Sequence, residues 1–307
     1  MPPAVSVIIP TYNRWPMIGE AVESVLRQSF QNIELIVVDD GSSDGSAESI
    51  KGLGRDIRIM VQSRCGVSAA RNYGASVARG RYLAFLDSDD LWLAEKLAVQ
   101  TAFMVEHPEM QICQTEETWL RHGKRVNPKA KHRKPSGDIF RPSLELCLVS
   151  PSAVMMTKKL FDETGGFDES FPVCEDYDLW LRIAVDHPVP LIAAPLVIKR
   201  GGHADQLSHS LWGMDRYRVA ALQKLLRAGM RGEKRKWVVD TLRRKIAVLA
   251  QGARKRGKES AARAYEAVLG EFVQEKKDVG AGDSRVRQGE GISPANSGAV
   301  ARLGAAG

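Results

Sequence analysis

Three carboxylates stand within four residues at Asp87-Ser88-Asp89-Asp90, directly after the apolar run Arg81-Tyr82-Leu83-Ala84-Phe85-Leu86. The run reads as a buried strand, so the acids fall at its carboxyl end. Like charges that close repel one another. A hard divalent cation removes the repulsion and takes oxygen ligands. An acidic strand end of this type therefore suggests a metal that grips a diphosphate. A solvated acidic turn capping the next helix is the plainer reading, since Asp is a good N-cap. Asp-x-Asp alone does not separate the two.

The elements that would carry this group alternate along the first hundred residues. Val5-Ser6-Val7-Ile8-Ile9, ended by Pro10, reads as a strand. Residues 16–28 place Met17, Ile18, Ala21, Val22, Val25 and Leu26 at helical spacing, with Pro16 in a first turn. Strands are predicted at 33–38, 57–61 and 82–86, and helices at 46–53, 67–79 and 93–106. Gly80 is expected to cap the 67–79 helix. Strands this uniformly apolar are buried on both faces, so the expected class is α/β, a mostly parallel sheet flanked by helices. Ligands of such sheets bind outside the strands' carboxyl ends. Those ends read Pro10-Thr11-Tyr12-Asn13-Arg14, Asp39-Asp40-Gly41-Ser42, Gln62-Ser63-Arg64 and Asp87-Ser88-Asp89-Asp90.

Residues 121–142 are basic and aperiodic, and read as a long loop or irregular hairpin. A strand is expected at 152–157, a short helix at 160–164 closed by Gly165-Gly166, a helix at 175–186 and a strand at 191–198. Amphipathic helices rich in Lys and Arg follow from about 213. The expected organisation is a domain over 1–212, with halves at about 1–95 and 96–212, a basic helical extension over 213–275, and a tail over 276–307. That tail has too few large apolar residues to order itself.

Net charge is +7 over 307 residues, and it is uneven. Residues 213–270 hold 16 Lys/Arg and 5 Asp/Glu, which leaves the first 212 residues four charges negative. A nucleic-acid coat would not concentrate acids in its main domain, so no nucleic-acid partner is expected. The four cysteines, Cys65, Cys113, Cys147 and Cys174, show no zinc-type spacing and read as reduced thiols. The amino terminus is unlike a signal peptide, and no apolar run reaches membrane-spanning length. A cytoplasmic protein is expected.

The segments Val5 to Arg14, Val37 to Gly45 and Asp87-Ser88-Asp89-Asp90, together with Gly66-Val67-Ser68-Ala69-Ala70-Arg71-Asn72, resemble family 2 glycosyltransferases of the GT-A fold in order and spacing. Thr164-Gly165-Gly166-Phe167-Asp168 and Cys174-Glu175-Asp176-Tyr177-Asp178-Leu179-Trp180 are similar to that family's acceptor-side motifs. The resemblance covers about two thirds of the chain. It implies inverting transfer of a sugar from a nucleotide-diphosphate donor, a UDP-sugar by family default, to a glycan or lipid-linked acceptor in surface glycan synthesis. It implies Mg2+ or Mn2+ held by Asp89 with Asp87, and His203 near the metal or diphosphate; a lone His is more often structural.

By the same resemblance Asp39 would bind the base, although an Asx turn before Gly41 also suits it. Pro10, Thr11, Tyr12, Asn13, Arg14 and Ser88 would line the nucleotide-sugar pocket, with core packing the plainer role of Tyr12. Arg14 and Arg71 would contact phosphate, although Arg71 could equally sit on a helix surface paired with an acid. Asp176 is the implied general base and Glu175 the second choice, although acids also favour helix N-termini for dipole reasons. Trp180 reads as core.

Two other classes compete. A nucleotide-sugar-forming nucleotidyltransferase would carry a Gly-rich loop with Lys or Arg after the first strand, where this chain has Pro10-Thr11-Tyr12-Asn13-Arg14. A module that binds nucleotide sugars without turnover would have no need of Asp87, Asp89 and Asp176. The basic segment 213–270 has two readings, a solvated helical cap and a peripheral contact with anionic membrane at its inner face.

Overall fold

The computed structural model describes residues 2–53, 56–202 and 213–273. His203 and the expected tail lie outside these residues. Four strands form the parallel half of one sheet: β1 (Val5–Thr11), β2 (Ile33–Asp39), β3 (Ile57–Val61) and β4 (Tyr82–Phe85), in the order β3-β2-β1-β4. Helices α1 (Met17–Leu26), α2 (Ser46–Lys51) and α3 (Val67–Ser76) connect them.

The other half is mixed. β4 pairs antiparallel with β8 (Val154–Thr157), and β8 with β6 (Ile112–Arg121). β6 runs parallel to β9 (Leu191–Gly201), and β9 pairs antiparallel with the two-residue β5 (Leu91–Trp92). β7 (Lys124–Val126) folds back on β6. The stretch expected to be a loop or irregular hairpin is thus in part a regular hairpin, and the long strand before it was not expected. Glu116, Glu117 and Thr118 interrupt any apolar alternation there, and register shifts fall at Thr115/Glu116 and Glu116/Glu117.

Period-two alternation divides the core between the sheet's faces. Val7 and Ile9 point to one side, with Ile18, Ala21, Val22 and Val25 of α1 and Leu97 and Met104 of α4 (Lys96–Glu106). Ile8 points to the other, with Ala70 and Ala75 of α3, Leu160 and Phe161 of α6 (Lys158–Thr164) and Leu179 and Trp180 of α7 (Glu175–Ala184). That second core continues into Leu222 and Leu226 of α8 (Met214–Arg227), Leu242 and Ile246 of α9 (Gly232–Lys255) and Phe272 of α10 (Glu259–Val273). A short helix, α5 (Phe140–Ser143), lies against α7.

The expected capping role of Gly80 is corrected. α3 ends at Ser76, and Gly80 lies beside β1, where an added Cβ would fall 2.5 Å from the Ser6 backbone nitrogen. Gly165 is left-handed and closes α6 as expected.

Candidate functional site

β1 and β2 end side by side, with Thr11 opposite Asp39 in register. Pro10 is buried within β1 and Thr11 is buried at its end. Asn13 takes a left-handed φ of 50° that lets its side chain face the next loop. Its Oδ1 accepts from Ser43 N at 2.7 Å, and its own N–H donates to Ser42 Oγ at 2.9 Å. Trp15 N donates to Asp44 Oδ2 at 2.9 Å. The Arg14 carbonyl accepts from Ile18 N and starts α1. Tyr12 is half-buried, with the Arg64 guanidinium 4.2 Å from its ring centroid.

Asp39 is buried and its Oδ1 accepts from Ser42 N at 2.8 Å, the turn bond expected of it. Its neighbour Asp40, which the sequence reading did not single out, ties down the 62–66 loop. It accepts from Gln62 Nε2 and Cys65 N at 2.7 Å each, and from Gly66 N at 2.8 Å.

Past the end of β4 the chain turns at Ser88-Asp89, where Asp90 N donates to the Asp87 carbonyl at 3.0 Å. Asp87 and Asp89 are half-exposed, while Ser88 and Asp90 are buried. Asp90 accepts from Ser152 Oγ at 2.7 Å and from Arg200 N at 2.9 Å. Burial pushes its carboxyl well above the usual range, and the charges of Asp89 and Asp87 add to this against the pull of Lys199. The group is therefore crowded with negative charge. Two half-exposed carboxylates two residues apart, completed by the oxygens of a substrate phosphate, match the donor set of Mg2+ or Mn2+. The described residues hold no group of three or more His, Cys, Asp or Glu placed to bind a metal by themselves. The fit is thus to an ion shared with a ligand.

Arg71 connects this acidic end to α7. It is buried, not on the helix surface. Its Nη2 donates to Asp87 Oδ1 at 2.6 Å and its Nη1 to Glu175 Oε1 at 2.8 Å. Both guanidinium nitrogens that would meet a phosphate are thus committed to carboxylates. Glu175 is pushed up to about 7, first by burial and then by neighbouring Asp176, against the attraction of Arg71. Asp176 is half-buried, and Cys147 Sγ donates to its Oδ2 at 3.4 Å. Asp178, third in the motif, turns inward to Arg182 at 2.8 Å and Lys224 at 3.0 Å, a structural pairing. Trp180 is core, as expected.

Lys199 was missed by sequence reasoning. It sits on β9 and its Nζ donates to Ser150 Oγ at 3.0 Å. Burial opposes its charge, yet the carboxylates of Glu117, Asp90, Asp87 and Asp176 together raise its pKa above the ordinary lysine value. A Lys near the end of a largely apolar strand gives no sequence signal beyond its presence, because those four acids are distant in the chain.

A profile of glycosyl transferase family 2 matches residues 6–165. An uncharacterized glycosyltransferase of Rickettsia felis is 38% identical over 188 residues, covering 59% of this chain but only 30% of that relative's length. The Escherichia coli protein WfaP, a UDP-Glc:alpha-D-GlcNAc-diphosphoundecaprenol beta-1,3-glucosyltransferase, is 35% identical over 189 residues, 58% of this chain and 69% of its own. Among solved structures, S. aureus TarS 1–349 in complex with UDP-GlcNAc superposes with a TM-score of 0.70 over 89% of this chain and 81% of that one, at 20% identity. The mannosyltransferase PcManGT of Pyrobaculum calidifontis, in complex with GDP-Man and Mn2+, gives 0.52 at 18% identity, over 90% and 89%. At those identities the likeness is one of fold.

Proposed function

Since the chain belongs to glycosyl transferase family 2 and has the GT-A fold, we propose that it transfers a sugar, with inversion, from a UDP-sugar to an acceptor hydroxyl. The acceptor would be a lipid-linked glycan, the class named for the Escherichia coli relative, and the setting surface glycan synthesis. The observation that carries the reading is the Arg71 bridge. It ties the acid of the strand end that would face the donor, Asp87, to the acid of the helix that would face the acceptor, Glu175, at 2.6 and 2.8 Å.

In this mechanism Pro10, Thr11, Tyr12, Asn13 and Asp39 hold the nucleoside, and Arg14 and Ser88 meet the diphosphate. Asp87 and Asp89 would hold Mg2+ or Mn2+, which supplies Lewis-acid stabilisation of the departing diphosphate when bound. Asp176 takes the proton of the acceptor hydroxyl as its oxygen attacks the anomeric carbon. The new C–O bond forms on the face opposite the diphosphate. The old C–O bond breaks, and its electron pair leaves with UDP. Glu175, held by Arg71, fixes the start of α7 and thereby Asp176.

No described helix is long and apolar enough to cross a membrane. A lipid-linked acceptor would be met from the membrane surface at its inner face, with the basic helices α8 and α9 as the contact. Asp176→Asn is expected to lower sugar transfer by about 10²–10⁴-fold while UDP affinity is kept. Unchanged transfer would remove Asp176 from the role of base. Pyrophosphate release from a nucleoside triphosphate and a sugar phosphate would instead support a nucleotidyltransferase.

A further inference from the structure

Lys199 has an unusual set of neighbours for a half-buried lysine. Four carboxylates favour its charge, drawn from β6 (Glu117), the end of β4 (Asp87 and Asp90) and α7 (Asp176). Yet among the described residues it forms no ion pair, and its one side-chain hydrogen bond goes to a neutral hydroxyl, Ser150 Oγ at 3.0 Å. Each acid is engaged elsewhere. Glu117 lies 3.1 Å from Lys134 Nζ and accepts from Trp119 Nε1 at 3.0 Å. Asp90 is satisfied by Ser152 and the Arg200 backbone, Asp87 by Arg71, and Asp176 accepts from Cys147.

An ammonium carries three donors, so two remain. A lysine serving only as counterion to Asp90 would contact it directly. Here the surrounding acids hold the ammonium charged without consuming its N–H groups. Its partner Ser150 stands two residues from Ser152, whose Oγ accepts from Asp87 N at 3.1 Å and donates to Asp90 Oδ2 at 2.7 Å, so the ammonium is anchored to the segment that braces the acidic strand end. A diphosphate entering beside Asp87 and Asp89 meets two negative charges. One divalent ion does no more than balance those two, and Arg71 is committed to Asp87 and Glu175. An anion placed there needs a further cation.

We propose that Lys199 is a catalytic residue of the transfer, donating to an oxygen of the donor's diphosphate and stabilising it as the sugar departs. The inference rests on the proposed UDP-sugar reaction and adds a contact to it. Calorimetric titration of the full chain with UDP, uridine and inorganic pyrophosphate, in EDTA and in Mn2+, tests it on wild type, Lys199→Met and Lys199→Arg. Removing one charge-assisted hydrogen bond predicts about a tenfold to hundredfold loss of UDP affinity in Lys199→Met under both conditions. Pyrophosphate affinity should fall in parallel, while uridine affinity is unchanged and Lys199→Arg retains most of the binding. UDP affinity equal to wild type overturns the proposal. So does a parallel loss of uridine binding, which would mark Lys199 as a support of the fold. If wild type binds no UDP at all, the sugar-transfer reading itself falls, and this one with it.

Discussion

Lys96 shows at the scale of a single residue how far environment outweighs type. Its side chain is fully buried, with Nζ 2.6 Å from Gln100 Oε1 and 3.9 Å from the Trp92 ring centroid. Burial pushes its pKa down from 10.5 to about 7, with only the Cys113 thiol among the groups pulling it upward. Between those two values the unfolded chain binds the extra proton, so stability rises with pH across that window. The penalty is fully present below it. Lys96→Met is therefore expected to stabilise by about 1–3 kcal/mol at pH 6, a few degrees in Tm. The indole face offsets part of the desolvation by attracting the charged form. Melting curves at pH 6 and pH 10 check the sign, because the gain must shrink at the higher pH. A gain that is equal at both would mean that Lys96 does not titrate in the folded protein.

Among the elements, the contact of α3 and its trailing loop with β1 sets how closely Arg71 approaches Asp87. Gly74 and Gly80 permit it. An added Cβ on Gly74 would meet Ile8 Cγ2 at 2.5 Å, an atom on a side chain that can rotate. On Gly80 it would meet the Ser6 backbone nitrogen at 2.5 Å, which cannot move without moving β1. Gly80→Ala is expected to cost about 2–3 kcal/mol, and Gly74→Ala less. Equilibrium urea unfolding of the two variants ranks them, and the reverse order would contradict this account. The strands and helices of the parallel half were legible because their apolar residues keep a clean period. β6 was not, because its acids face a partner, Lys134, that lies beyond the hairpin. The acidic strand end was legible as a motif, because its three acids stand within four residues.

For the whole molecule, the carboxy-terminal helices are bound to the rest by core and by charge. Leu222, Leu226, Leu242 and Ile246 share one apolar cluster with Trp180 and Ile183. Lys245 Nζ donates to the Glu145 carbonyl at 3.0 Å, beside the Leu144 carbonyl that accepts from Tyr177 OH at 2.6 Å. A chain ended at residue 212 is expected to expose that cluster and lose its cooperative thermal transition; a sharp transition in the truncated protein would show an independent domain. Much of the basic charge is used internally. Lys234 and Arg235 bond the Val185 and Phe272 carbonyls, and Arg254 pairs with Glu266. Arg231, Lys236, Lys255 and Lys258 have no side-chain partner among the described residues. At about 1 kcal/mol each near an anionic surface, they predict weak, salt-sensitive binding to anionic vesicles. Sedimentation should show it in low salt, and lose it when the four are changed to Gln; no retention in low salt removes the membrane contact.

The family, the parallel strands and the acidic motifs could all be read from the chain, because each depends on neighbours within a few residues. Tertiary structure alone brought Arg71 between Asp87 and Glu175, buried Asp90, and set Lys199 among four acids. Those placements join groups far apart in the chain, 104 positions for Arg71 and Glu175 and 110 for Asp90 and the Arg200 backbone, and their charges interact through a partly dry interior that no local pattern records.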